Sequence, residues 1–264
     1  MKKALAVLVA LSFSAIASPL RAGVVLTQQI TTTTGDNSTT DQRTVMVQDN
    51  RQKVVMRDQV IVLDLDAGKM ILMNPAAHNY TELPFPPHGQ MAAMMQSMGG
   101  VNLDFKKTGA IRTLSGYQCQ EYNSMASSAM GEFSAKGCFS ADAPGAAAYG
   151  AFTKALAKKF EDAGMAKTSG NQPDGVPLEL DTTTRLTNFN IPGMPPEQAE
   201  KLRQMMANRP PTTTKSVTTS IKTADLSTDT FAVPAGYTER KIGLGAPGSM
   251  GAAPAPGPTP YEGE

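Results

Sequence analysis

The most concentrated soft-ligand chemistry in this sequence lies in one short stretch: His88, Met91, Met94, Met95 and Met98. An imidazole beside several thioethers is a ligand set that suits Cu(I). The four methionines fall at i, i+3, i+4 and i+7, which places them on one face of a helix closed by Gly99-Gly100. Residues seven apart on a straight helix are separated by about 10 Å along its axis, too far to share one ion. The chain holds 16 Met, and the excess is spread through other segments as well. Met fills adaptable apolar surfaces, so packing or ligand contact is the stronger reading. No metal and no cofactor is expected, and His88 with the methionines stands as the copper-handling alternative.

Cys119 and Cys138 are the two cysteines of the chain. Their spacing is not CxxC, so a structural disulfide outweighs a thiol-redox site. A strand Tyr117 to Met125 and a strand Glu132 to Ser140, joined by Ala126 to Gly131, would set the two cysteines opposite each other. Other chemistry is harder to find. There is no GxSxG elbow, no Walker or GxGxxG loop and no HExxH. Glu161-Asp162 reads as a solvated helix face rather than an acid/base pair. The expectation is a protein that is not an enzyme. With 24 Lys+Arg against 23 Asp+Glu, there is no basic field to hold nucleic acid.

The elements that position these residues begin after a targeting segment. Lys2 and Lys3 precede the apolar run Ala4 to Ile16, with small residues before cuts after Ala17 or Ala22. This is the pattern of a secretory signal peptide, assigned to residues 1–22. No later apolar run is long enough to span a bilayer, so a periplasmic protein of a Gram-negative bacterium is expected. A single domain is expected over 23–242. The tail, 243–264, is rich in Gly, Pro and Ala without apolar periodicity, the composition of a disordered segment.

Within the domain, Gly23 to Tyr80 reads as short strands. Val24, Leu26 and Ile30 alternate with polar residues, and Gly35-Asp36-Asn37-Ser38 and Asp49-Asn50 make turns. Val60 to Leu63 is nearly continuous and β-branched, the pattern of a strand covered on both faces. Asp66-Ala67-Gly68-Lys69 is a further hairpin signal. Strands are also expected over Leu103 to Leu114 and over the threonine-rich Pro177 to Asn188 and Thr212 to Ala224. Besides the Met helix, two more helices are expected. One follows Asp142 and Pro144, carries the apolar stripe Tyr149, Phe152, Leu156 and Phe160, and stops at Gly164. The other runs from Pro196 to Asn208, with Ala199, Leu202, Met205 and Met206 on one side.

Several short motifs, taken together in order and spacing, resemble a known family. Ile61 to Tyr80, with "MNPAAHNYTEL" after the hairpin, is similar to a segment of the bacterial envelope family called domain of unknown function 4412. So are Lys106-Lys107-Thr108-Gly109, Ser115-Gly116-Tyr117-Gln118-Cys119 with Tyr122, Gly175-Val176-Pro177-Leu178, and Phe231 to Tyr237. The resemblance runs from about Val24 to Lys241. Relatives often show a Trp in the strand after the Cys119 segment; this chain has Cys138 there, which supports a cystine between neighbouring strands.

The family resembles lipoprotein carriers of the LolA-like type. The resemblance implies an α+β fold, a strongly curved antiparallel β-sheet forming a half-barrel with helices over its concave face. It implies no catalytic residues. The leading functional expectation is therefore a non-catalytic module that binds an apolar ligand between sheet and lid helices. The expected partner is a lipid or a lipidated protein, and the contact candidates are Met91, Met94, Met95, Met98, Tyr149, Phe152, Leu156 and Phe160. A structural envelope interaction module is the further alternative.

Overall fold

The computed structural model of the protein describes residues 22–89, 92, 104–128, 131–165, 172–186, 195–207 and 209–241. Alternation from Val24 onward produces β1 (Gly23–Thr34), and the left-handed Gly35 with Asp36 turns it into β2 (Asn37–Gln48). Asn37 and Ser38, expected in the turn, are thus the first residues of β2. A meander continues through β3 (Arg51–Val55), β4 (Val60–Asp64), β5 (Lys69–Asn74) and β6 (Asn79–Pro84). A second meander comprises β7 (Phe105–Leu114), β8 (Tyr117–Ser128) and β9 (Gly131–Ser140). There follow α1 (Ala146–Asp162), β10 (Val176–Leu186), α2 (Pro196–Ala207), β11 (Thr212–Ala224), a 3-10 turn (Thr228–Phe231) and β12 (Thr238–Glu239).

All twelve strands form one open, curved sheet in the order β12-β6-β5-β4-β3-β2-β1-β11-β10-β9-β8-β7. Every pairing is antiparallel except β12 with β6. The two meanders are joined through β11 and β10, where β1 pairs with β11 and β10 with β9. Register shifts at Thr27/Gln28 and at Pro177/Glu179 mark bulges there, and bulges increase local twist.

Side chains alternate between two faces. On the first face Val24, Leu26, Val45, Val47 and Leu63 form the main core with Phe152 of α1. On the second face Val60, Val62, Ile71 and Met73 are covered by Phe231, with Leu226, Val233 and Tyr237 beside it. The β4 run is therefore buried from both sides, which is why it reads as continuous. Lys53 Nζ donates to the Thr230 carbonyl at 2.8 Å and ties this covering segment to β3.

Two expectations are corrected or fall outside these residues. The β8–β9 register pairs Glu121, not Cys119, with Cys138, so the disulfide is diagonal, with its Cα atoms 5.3 Å apart. The reason is the turn. The strands run to Ser128 and Gly131, and this shorter link fixes a register two residues away from the one expected. Second, the side of α2 expected to be apolar rests mostly on side chains outside the described residues. Met205 is 62% exposed and every other described side chain of the helix is exposed too, in keeping with its density of charged and amide groups. The side chains of Ala199, Leu202 and Met206, like the whole of Met91, Met94, Met95 and Met98, lie outside the described residues. Helix α1, by contrast, packs on the sheet against β1, β2 and β10.

Candidate functional site

The first face is built around the seat of α1. The helix starts at Gly145, whose φ of +75° is a left-handed conformation that L side chains rarely adopt. A Cβ at this position would lie 2.4 Å from Cβ of Val24, so glycine also permits the close approach of helix to sheet. At the other end the amide of Met165 donates to the Phe160 carbonyl and that of Gly164 to Glu161, the paired bonds of a Schellman stop. Helix length is thus set by two glycines flanking one apolar stripe.

The structure brings the whole expected stripe to one place. Phe152 is fully buried in the main core, while Tyr149, Leu156 and Phe160 are half-buried against it. Phe160 meets Phe85 edge-on, with ring centroids 5.2 Å apart. His88, by contrast, is exposed, with Nδ1 3.3 Å from the Pro86 carbonyl oxygen. Among the described residues there is no cluster of three His, Cys, Asp or Glu side chains able to hold a metal.

One step further along the strands, the first face turns polar while staying buried. Gln28, Thr218 and Ser216 are 2%, 1% and 4% exposed. They form a directional chain of hydrogen bonds. Thr218 Oγ1 donates to the Pro177 carbonyl at 2.6 Å, and Gln28 Nε2 donates to Thr218 Oγ1 at 3.1 Å. This leaves Gln28 Oε1 to accept from Arg43 Nε at 2.9 Å, and an Arg43 terminal nitrogen reaches Ser216 Oγ at 3.5 Å. Burial lowers the Arg43 pKa, and the neighbouring Tyr149 opposes that shift. Burial likewise raises the Tyr149 phenol above its ordinary range, with Arg43 opposing. Tyr149 is therefore a neutral O–H donor beside a cation.

Sequence reasoning missed this polar group, although a signal was present. Gln28 interrupts the inward row Val24, Leu26, Ile30, and Arg43 occupies the inward row that continues as Val45 and Val47. A polar residue at a core position of a period-two pattern needs a partner.

The second face presents its charges differently. Glu179 accepts from Arg112 at 2.9 Å and pairs with Lys215 at 3.2 Å, while Glu121 pairs with Lys136 at 3.2 Å and Arg112 at 3.7 Å. Burial alone would raise the Glu179 pKa, but the hydrogen bonds from Arg112 and Lys215 outweigh it and hold the carboxyl below its usual range. An open hollow of about 500 Å³ is lined by Gln29, Thr40, Asp41, Gln42, Arg57 and Thr219, polar groups throughout.

Residues 28–180 match the family model described as Domain of unknown function (DUF4412). The chain belongs to this family. The match runs from Gln28 within β1 to Leu180 within β10, and includes β2, the disulfide and α1. It stops short of the span expected to Lys241, and the Phe231 to Tyr237 motif lies beyond it. No curated protein matches the chain in sequence.

Solved structures similar to this DUF4412 protein are distant. PNGF-II has 9% identity and a TM-score of 0.40, with 84% of this chain and 31% of that one covered; the chain therefore spans about a third of PNGF-II. A DUF1329 family protein from Desulfovibrio piger has 7% identity and a TM-score of 0.33, covering 80% and 90%. The Mycobacterium tuberculosis lipoprotein LppX has 8% identity and a TM-score of 0.30, covering 77% and 88%. Likeness at this level carries nothing about activity.

Proposed function

We propose that this DUF4412 protein is an exported, non-catalytic envelope module that binds an apolar chain, an acyl chain or a lipidated partner, between the sheet and α1. The observation that carries the reading is the seating of α1. Phe152 alone on its stripe is fully buried, and Tyr149, Leu156 and Phe160 keep part of their apolar surface open beside the sheet. A helix held this way can share its face with an extended ligand. The signal-peptide pattern and the disulfide favour an oxidising compartment outside the cytoplasm.

Magnitudes are adequate. Each buried CH2 is worth about 0.8 kcal/mol, so ten methylenes offer roughly 8 kcal/mol before ordering costs. Those costs remove several kcal/mol and leave affinity on the order of micromolar. The protein should take up a fluorescent fatty acid at tens of micromolar. Leu156→Ala combined with Phe160→Ala should change that uptake, whereas replacing the exposed Lys158 should not. A wild-type protein that takes up no apolar probe would end this reading.

A second reading, an interaction module with a solid core, is favoured by the tight fit of Gly145 on Val24 beneath the start of α1. Native mass spectrometry of exported protein separates the two, since co-purifying lipid belongs to the first alone.

A further inference from the structure

Arg43 is a half-buried cation whose partners among the described residues are all neutral. Gln28 and Ser216 orient the guanidinium without cancelling its charge. Asp41, two residues earlier on the same side of β2, pairs with Arg57 at 3.6 Å instead. Among the described residues no carboxylate lies within ion-pair distance of Arg43. The contrast with Arg112, which engages two glutamates, shows that this sheet can pair a buried-side arginine where pairing serves the fold. An arginine carries five N–H donors in a planar fork, and the contacts here use two. The fork is held in direction by a relay that ends on a backbone carbonyl, that of Pro177. Tyr149 of α1 packs against the same core on the helix that borders the proposed chain-binding surface.

We propose that Arg43 is the seat for an oxyanion head, a carboxylate or a phosphate, carried by the apolar chain that the first face holds. This rests on the chain-binding reading above. The head accepts from the free edge of the guanidinium, a geometry that planar oxyanions match in bidentate fashion, while the tail follows the apolar stripe of α1. An uncharged ester of the same chain leaves the guanidinium without an acceptor, so the site discriminates by head as well as by tail.

The test is displacement of Nile red, an uncharged apolar dye, from the full exported protein at pH 7.5. The competitors are dodecanoic acid, dodecyl phosphate and methyl dodecanoate. The wild-type protein should prefer the acid or the phosphate over the ester by about tenfold or more. Arg43→Gln should reduce that preference to near unity, chiefly by weakening displacement by the acid and the phosphate. Should Arg43→Gln fold poorly, Gln28→Glu supplies an internal carboxylate to the intact arginine and should erase the preference in the same way. Equal displacement by acid, phosphate and ester from wild-type protein overturns the anion seat and leaves chain binding standing. No binding of Nile red or of any competitor overturns the chain-binding reading, and this inference with it. Inorganic phosphate that removes the acid's advantage at concentrations as low as dodecyl phosphate would assign the seat to free anions and overturn the lipid head.

Discussion

The two faces of the sheet solve the same problem, closing an apolar surface beside charged groups, in opposite ways. On the second face the cover is a chain segment tied down by Phe231 and by the bond from Lys53 to the Thr230 carbonyl. The charges near β8–β11 are cross-linked there, two glutamates among Arg112, Lys136 and Lys215. On the first face the cover is a helix anchored by one buried aromatic, and its arginine has neutral partners. Paired charges and a strapped cover are what a purely structural face needs. A half-seated helix over an unpaired cation is costly in folding terms, because a desolvated charge is stabilised only by its acceptors. The proposed ligand-binding role of the first face rests on this difference.

The sharpest way to break the comparison is to remove each face's aromatic anchor. Phe152→Ala should cost about 3–5 kcal/mol, the range for large buried aromatics. Phe231→Ala, at the edge of a smaller cluster, should cost less than that. Chemical denaturation of both variants reads the difference. A second readout matters more: Phe152→Ala should change uptake of an apolar probe, and Phe231→Ala should leave it alone. Equal uptake changes in the two would remove the functional distinction between the faces.

Next in size is the cystine. It closes a loop of sequence separation 19, for which the chain-entropy model gives about 3 kcal/mol. Cys119→Ser with Cys138→Ser should lower stability by roughly that amount, read as the denaturant midpoint. The bridge packs with Leu178, bordered by Leu114, Tyr117 and Ile221, and none of the hydrogen bonds that hold Arg43 runs through it. Head-group preference should therefore survive its loss. A double variant that keeps full stability would show that the register alone holds β8 against β9.

Much of this arrangement could be read from the chain. Gly35, Gly68 and Gly164 mark turns and a helix end because glycine alone reaches their left-handed conformations without strain, so β1 to β5 and the end of α1 follow from local rules. The stripe Tyr149, Phe152, Leu156 and Phe160 was legible because helical spacing is local. The Arg43 group was not, since its members come from β1, β2, β11 and α1, and only the register across β1 brings Gln28, Arg43 and Thr218 together. The diagonal disulfide escaped for the same reason. A two-residue difference in a hairpin turn leaves the strands unchanged but moves every cross-strand partner.

The smallest expected effect concerns the paired face itself, and its sign follows from Glu179. Hydrogen bonds from Arg112 and Lys215 hold this carboxyl below its ordinary range, against the opposing effect of burial. A carboxyl with a depressed folded pKa favours the fold when ionised. Its contribution is fully present above the unfolded value, near about 4.3, and is lost as pH falls through the lower folded value. Glu179→Gln keeps the shape and removes that dependence, while Arg112 retains Glu121 as a partner. Stability at pH 7 should fall only modestly, because the pairing cations are substantially exposed and screened by solvent. The decisive measurement is the slope between pH 5 and 3: the wild type should lose stability more steeply than Glu179→Gln on acidification. Parallel slopes would mean that the paired face draws nothing from this glutamate's charge, and that Glu121 alone pairs Arg112 to effect.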